Sequence, residues 1–357
     1  MSKFLKWLER YAKKVIFAIL KLFSISSQNI SALPHPNTIR SVLIMRVDGK
    51  MGNMVLTLPM VHAARKLFQS AYLTVLIDQR QKRLVENNPF IDECVVYEWK
   101  KYLKRPWLWI LFLKKIHGYD LVIECSNPGS FSVSHALLLV LTQSPFRLGF
   151  NRGESNKFLN LLVPLDNDKH YREIMLDLLR IFNQPLFSST PYIFLTDEEK
   201  KNGKNYLIGA SQDSEIKYVG MWIGARHQKQ WQIENYFVVE KKLEESSGVT
   251  VRYLFGPEEC RIYEKLDEEK QEKSRVFTDV RLLASAMVAC NLIISGDTGP
   301  LHLSVTLGRP TLGLFSLPNM QNYGYDDGKL FRTLYLPELS DPVDEVIKVS
   351  QELLNQQ

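Results

Sequence analysis

Apolar residues in this chain fall into short continuous runs, separated by stretches with helical spacing. Ser41–Val47 (SVLIMRV), Tyr72–Ile77 (YLTVLI), Glu93–Tyr97 and Leu121–Cys125 (LVIEC) read as buried strands. Leu58–Gln69, Arg80–Asn88 and Pro106–Ile116 read as helices between them, followed by Val133–Leu141 and Arg172–Phe182. The turn-rich Pro185–Pro191 carries no such run, and the alternation restarts beyond it. Tyr218–Ile223, Val249–Phe255, Val276–Phe277, Asn291–Ser295 (NLIIS) and a last strand, Pro310–Phe315, are predicted for the second half. Ile233–Leu243, Glu258–Glu269, Arg281–Cys290, Leu301–Leu307 and Asp341–Leu354 are its predicted helices. Strands alternating with helices pair in parallel and build doubly wound sheets. Two similar α/β halves facing a cleft are therefore expected, with ligands bound beyond the carboxyl ends of the strands. The predicted divisions are 1–36, 37–190, 191–340 and a final helix over 341–357.

The first of these divisions has a different pattern. At 100° per residue Phe4, Leu5, Trp7, Leu8, Tyr11, Val15, Ile16, Ile19, Leu22 and Phe23 fall on one side. Lys3, Lys6, Arg10, Lys13, Lys14 and Lys21 fall on the other, against the single carboxylate of Glu9. Five of the six net positive charges of the chain therefore sit in residues 1–23. This pattern predicts a basic amphipathic helix, and Ser24–Pro36 a linker after it. The longest near-apolar run, Val15–Leu20, is far short of the ~20 residues that cross a bilayer. No small-residue cleavage site comes after it, which argues against a signal peptide. The expectation is a membrane-surface anchor over residues 1–24, with Phe4 and Trp7 inserted; the competing reading is a helix packed on the protein's own body. The near-neutral remainder argues against a nucleic-acid binder.

Composition narrows the class. With 357 residues, 45% hydrophobic and 24% charged, the chain has the make-up of a soluble globular protein of about two domains. Cys94, Cys125, Cys260 and Cys290 lie far apart beside apolar segments, without a CxxC pair. That spacing fits buried free thiols in a reducing compartment, and not a zinc site. No GxGxxG comes after a strand, so a nicotinamide dehydrogenase is not supported.

Polar chemistry collects in loops at the ends of strands. One is Arg46-Val47-Asp48-Gly49-Lys50-Met51-Gly52-Asn53, leading into Val55, Leu56 and Pro59. A second runs from Gly224 through Arg226 and Lys229 to Trp231, and a third is Gly256-Pro257-Glu258-Glu259. The most distinctive is Ser295–His302, between an apolar strand and an apolar helix with Pro300 in its first turn. Its glycines allow close approach of a ligand, and the N–H groups of a helix start suit a phosphate or diphosphate, with His302 one turn in. The plainer alternative is a tight turn in which Asp297 or Thr298 caps the helix.

These segments resemble those of the ADP-heptose:lipopolysaccharide heptosyltransferases, glycosyltransferase family 9. Arg46, Asp48, Gly52, Val55, Leu56 and Pro59 match the family's first loop; Gly224, Ala225, Lys229 and Trp231 match its G-A-x-x-x-K-x-W segment. Asp297, Thr298, Gly299 and His302 match its D-T-G-x-x-H segment, and Gly308, Pro310, Leu314 and Phe315 match the G-x-P-x-x-x-L-F stretch behind it. The resemblance implies a GT-B fold with two Rossmann-like domains, the acceptor in the first and the nucleotide-sugar in the second. It also implies inverting transfer of a heptose from ADP-heptose to a lipid A–core sugar, with no metal or other cofactor, at the cytoplasmic face of an inner membrane.

Within that resemblance Lys229 takes the charge of the departing diphosphate, while Thr298, Gly299 and the helix start supply hydrogen bonds. His302 donates to the same group or positions it. Gly224, Arg226, Asp297 and either Glu258 or Glu259 complete the donor set, the glutamate accepting from ribose hydroxyls. Arg46, Lys50 and Gly52 are expected at the acceptor, and Arg147 and Arg152 are further candidates for its acidic groups. One position departs from the family pattern: Asn53 stands where an aspartate serves as general base. An amide cannot accept that proton at neutral pH. Asp48 is the first candidate to replace it, and Glu124 is another. The alternatives are a catalytically weak nucleotide-sugar-binding protein, or the same fold acting on another activated sugar.

Overall fold

The computed structural model describes residues 15, 16, 19, 20, 32–186, 192–209, 216–224 and 230–356, apart from the side chains of residues 99 and 103. The chain divides into two compact units, Met1–Asn167 with Arg172–Ser188, and Asp168–Tyr171 with Ser189–Gln357. The predicted amino-terminal helix falls mostly outside the described residues. Among those described, no helix is long and apolar enough to cross a membrane.

The first unit holds a six-stranded sheet of β1 (Ser41–Arg46), β2 (Tyr72–Asp78), β3 (Glu93–Tyr97), β4 (Leu121–Glu124), β5 (Phe146–Phe150) and β6 (Leu161–Val163). Its spatial order is β3-β2-β1-β4-β5-β6. The second unit holds β7 (Lys217–Trp222), β8 (Val249–Phe255), β9 (Ser274–Val276), β10 (Leu292–Gly296), β11 (Thr311–Phe315) and β12 (Phe331–Tyr335), in the order β12-β11-β10-β7-β8-β9. Every neighbouring pair is parallel. Numbered within its own unit, each sheet has the same order, 3-2-1-4-5-6, with its reversal point between the first and fourth strands. Strands buried on both faces explain the continuous apolar runs: after Ser41, all of β1 is buried, as are all of β10 and β11.

Several elements differ from the sequence expectation. The first helix runs over Met51–Leu67, seven residues ahead of its predicted start, and carries Pro59 inside it. A proline ordinarily marks a helix boundary, but this helix continues on both sides of it under tertiary packing, with Met54–Ala64 buried throughout. The strands β5 and β6 were not predicted: β5 carries Arg147 and Gly149, and β6 is three residues long. Pro310–Phe315 is not the last strand, because the half-buried edge strand β12 comes after it. Helix Asp197–Ile208 is hidden in the sequence by its polar composition. Gly203 lets it cross another helix closely, since a Cβ there would lie 2.3 Å from that of Ser285. The predicted helix Glu258–Glu269 is broken into the turn Pro257–Glu259 and the short helices Cys260–Tyr263 and Glu268–Glu272.

All four cysteines are free. Cys125 and Cys290 are buried, and burial pushes both thiols up to about 12. Cys94 and Cys260 are only half-buried, against the expectation for them.

Candidate active site

In the first unit the polar residues gather where the sheet order reverses, beyond β1 and its neighbour β4. Arg46, the last residue of β1, is completely buried. Its guanidinium donates to Thr57 Oγ1 (3.0 Å), to Asp48 Oδ2 (2.8 Å) and to the Cys125 carbonyl, and lies 3.6 Å from Met175 Sδ. Arg46 was expected to face an acceptor. The structure corrects that: it is a buried charge whose ion pair with Asp48 offsets its desolvation.

Asp48 is the focus of this cluster. Asn53 Nδ2 donates to its Oδ2 at 2.9 Å, and the Lys50 N–H and Gln81 Nε2 each approach Oδ1 at 3.3 Å. Gly49 makes this turn with φ +65°, and a Cβ there would sit 2.0 Å from Arg80 Nη2. Burial works to raise the Asp48 pKa. The Arg46 charge, then the hydrogen bonds from Asn53, the Lys50 N–H and Arg46, outweigh it and hold the carboxyl below the ordinary aspartate value. The side chain keeps 12% exposure, so it is ionised yet reachable. Lys50 is exposed and Gly52 half-buried at the start of helix Met51–Leu67.

Glu124, the other candidate base, ends β4 and is fully buried. One oxygen accepts from Arg152 Nη2 (2.7 Å), the other from the Ser126 N–H (3.1 Å), with His135 Nδ1 at 3.4 Å. A carboxylate so engaged is a structural anchor, and the geometry favours Asp48 over it. Arg147 and Arg152 are likewise buried and not surface cations. Burial lowers the Arg147 pKa, and Arg152 also donates from Nε to the Ser130 carbonyl at 3.0 Å.

In the second unit the corresponding reversal lies between β7 and β10. Gly224 sits just beyond β7, and Gly256 just beyond the adjacent β8. The Glu259 carboxylate turns in between them, accepting the Gly256 N–H at 3.1 Å; a Cβ on Gly224 would meet Glu259 Oε1 and Trp222 Nε1, each at 2.7 Å. Glu258 is exposed. The two glutamates that the sequence left equivalent are thus distinct, with Glu259 the one inside. Trp231 packs at its ring edge against Tyr236 (5.0 Å), beside the core. Arg226 and Lys229 lie outside the described residues.

Beyond β10, Asp297 is buried and accepts from Asn319 Nδ2 at 2.7 Å. The helix runs over Gly299–Thr306 with Thr298 as its N-cap residue, but no side-chain cap bond forms. Thr298 Oγ1 turns back toward the Gly296 carbonyl (3.3 Å) and Ser295 Oγ (3.4 Å). Thr298 therefore does not cap the helix through its side chain; in the first turn Pro300 has no N–H to offer and the Leu301 N–H donates to the Thr298 carbonyl at 3.2 Å. His302 is buried, with Nδ1 3.0 Å from Tyr325 Oη and the Tyr323 ring at 6.0 Å. The segment Asp168–Tyr171 belongs to this unit: Gln321 Nε2 and Asn322 Nδ2 donate to the Asp168 and Lys169 carbonyls at 2.5 and 3.0 Å. His170 and Tyr171 lie against Tyr325 and Tyr323 at 4.8 and 5.8 Å. Sequence reasoning missed Asn319, Tyr325 and Gln81. The polar-aromatic run Asn319–Tyr325 carries a faint signal; Gln81 carries none.

Among the described residues, no group of three or more His, Cys, Asp or Glu side chains is placed to hold a metal ion. The arrangement offers a held carboxylate in one unit and, in the other, a helix start that the Thr298 side chain does not cap, with an imidazole beside it.

Two parallel sheets of this order, with their polar loops at the reversal points, have the GT-B fold of solved heptosyltransferase structures. The chain belongs to glycosyltransferase family 9 (heptosyltransferase), whose family model matches residues 113–327. Among solved structures it is similar to the glycosyl transferase family 9 protein of Veillonella parvula DSM 2008, with a TM-score of 0.78 and 20% identity over 92% of this chain and 100% of that one. It is also similar to the E. coli ADP-heptose lps heptosyltransferase II (TM-score 0.69, 20% identity, 88% and 98% covered). The E. coli heptosyltransferase WaaC with ADP gives a TM-score of 0.68 at 18% identity, with 88% and 99% covered. No curated protein matches the sequence significantly.

Proposed function

We propose that this glycosyltransferase moves a heptose from ADP-heptose to a sugar of the lipid A–core oligosaccharide, with inversion at the anomeric carbon. It would do so at the cytoplasmic face of the inner membrane, held there by residues 1–24. The observation that carries the reading is Asp48: an ionised, reachable carboxylate fastened by Arg46, Asn53, Gln81 and the Lys50 N–H. Similar E. coli structures hold ADP and ADP-2-deoxy-2-fluoro heptose, which supports this donor.

The acceptor hydroxyl loses its proton to Asp48 as its oxygen forms the new glycosidic bond. The bond from the anomeric carbon to the β-phosphate oxygen breaks, and its electron pair leaves with ADP. A carboxylate held low is always ionised at neutral pH but weakly basic, so the proton moves late, once the hydroxyl has been acidified by bond formation. Charge growing on the diphosphate is met by Lys229, by Thr298, by the Gly299 end of the helix and by His302. Asp297, fixed by Asn319, shapes that turn. Gly224, Arg226 and Glu259 bind the nucleoside, and Lys50 and Gly52 line the acceptor side. Asn53 then acts as a positioning residue that aims Asp48.

The test is turnover with ADP-heptose and a purified lipid A–core acceptor. Asp48→Asn is expected to lower kcat by on the order of 10²–10⁴, with the KM for ADP-heptose little changed. Asn53→Ala is expected to retain measurable turnover. A fully active Asp48→Asn variant overturns the assignment of the base.

A further inference from the structure

The helix Trp107–Ile116 (WLWILFLKKI) is apolar on both of its faces as far as Leu113, ahead of Lys114 and Lys115 in its last turn. Phe112 and Ile116 are buried in one cluster with Leu43, Met45, Val122 and Leu139, and Trp109 and Leu113 pack against it. The opposite face is uncovered: Trp107, Ile110 and Leu111 are 61%, 59% and 54% exposed. Their i, i+3, i+4 spacing places the three side chains together on one patch. A helix that lies on a core in water carries polar residues outward; one that is apolar all round calls for a second apolar phase.

The surroundings of the patch identify that phase. From residue 98 to 116 there are six cations, Lys100, Lys101, Lys104, Arg105, Lys114 and Lys115, against the one carboxylate of Glu98. All six are exposed. Glu98 and Glu93 pair with Lys101 and Lys115, at 3.0 and 2.9 Å, which leaves net positive charge around Lys104 and Arg105 at the start of the helix and at Lys114 near its end. Aromatic and aliphatic side chains at the centre with cations at the rim complement an anionic lipid surface. Leu20 is buried in the same cluster as Phe112 and Ile116, while the helical residues Val15, Ile16 and Ile19 remain 41%, 43% and 49% exposed.

We infer that the helix Trp107–Ile116 is a second membrane contact, with Trp107, Ile110 and Leu111 inserted at the headgroup–acyl boundary of an anionic phospholipid bilayer. The flanking lysines and Arg105 lie on the headgroups. The inference deepens the reading of a lipid-linked acceptor, but it does not depend on the donor or on Asp48. It makes membrane docking a property of the acceptor-side unit itself and not only of residues 1–24.

The test is sedimentation of the full chain with phosphatidylcholine vesicles, with and without phosphatidylglycerol. The variants are a triple Trp107→Ser, Ile110→Ser, Leu111→Ser and a double Lys104→Glu, Lys114→Glu. Unchanged melting temperatures check their folding, since all five side chains are exposed. Wild-type protein is expected to bind the phosphatidylglycerol vesicles, and the triple variant to bind them ~10-fold or more weakly. The double variant is expected to lose the preference for phosphatidylglycerol. Turnover of ADP-heptose on a deacylated, water-soluble acceptor is expected to be unchanged in both. Equal sedimentation of wild-type and triple variant overturns the inference. So does a wild-type dimer that the triple variant converts to monomer, since the patch is then covered by a second copy. Vesicle binding lost in the triple variant while wild-type protein fails to turn over ADP-heptose overturns the proposed reaction and leaves the membrane contact standing.

Discussion

Asn53 and Asp48 are joined by a hydrogen bond of 2.9 Å, and the proposed base depends on it. The amide cannot take a proton, but it donates to the carboxylate that can, and so helps keep that carboxylate ionised. Asn53→Asp turns this donor into a second negative charge at the same distance. Two carboxylates so close cannot both ionise freely, and the pair titrates with one pKa raised. In the wild type, Asp48 is held low, so kcat/KM is expected to stay level until the pH falls below the usual carboxylate range. In Asn53→Asp the acid limb is expected to move up by about one to two pH units, seen in a pH–rate profile. An unmoved limb would show that Asp48 is not the group that titrates in catalysis. The residue types at this turn were legible in the sequence. The burial of Arg46 and the approach of Gln81 were not, because both depend on side chains brought in from other elements.

At the scale of elements, strands with an unbroken apolar run, such as β1, β10 and β11, are legible in the sequence, while β5, interrupted by Arg147 and Gly149, and the short or half-buried β6 and β12 are not. Helices whose register depends on neighbours were read poorly. Helix Asp197–Ile208 has little amphipathic pattern; a capping box starts it, with Thr196 Oγ1 accepting from the Glu199 N–H and Glu199 accepting from the Thr196 N–H. Glu199 also receives the otherwise buried Arg281 guanidinium from helix Val280–Val288. The hydrogen bond from Arg281 is the main cause that lowers its pKa from the ordinary 4.5 to about 2. A carboxylate depressed in the folded state stabilises above its unfolded pKa, and loses that contribution as pH falls through the folded value. Glu199→Gln is therefore expected to lower stability by on the order of 1–3 kcal/mol at neutral pH, discounted because the carboxylate is a quarter exposed. The gap between variant and wild type should narrow between about pH 4.5 and pH 2. Thermal melts at neutral and acid pH check this, and a gap independent of pH would rule out the ion pair as its source.

At the scale of the molecule, the two units repeat one strand order, and in both the polar loops lie beyond the strands at the reversal point. Ligand binding to the folded state raises its stability by mass action, by ~2.7 kcal/mol when the ligand is at 100 times its Kd. ADP-heptose and ADP are expected to raise the melting temperature of the full chain, and UDP- and GDP-sugars to leave it nearly unchanged. The reverse ranking in a thermal-shift series would replace the donor proposed here.

What the sequence determined by itself was local. Apolar runs set most strands, and Gly-rich turns with Asp48, Asn53 and the Gly296–His302 segment marked the chemistry, because backbone preference and side-chain type act over a few residues. The order of strands, the difference between Glu258 and Glu259, the removal of Glu124 and Arg46 from the exposed groups, and the bare outer face of Trp107–Ile116 were decided only by tertiary structure. Each depends on which distant segment packs where, and the free energy of burying a charge or an apolar side chain is set by neighbours that no local pattern contains.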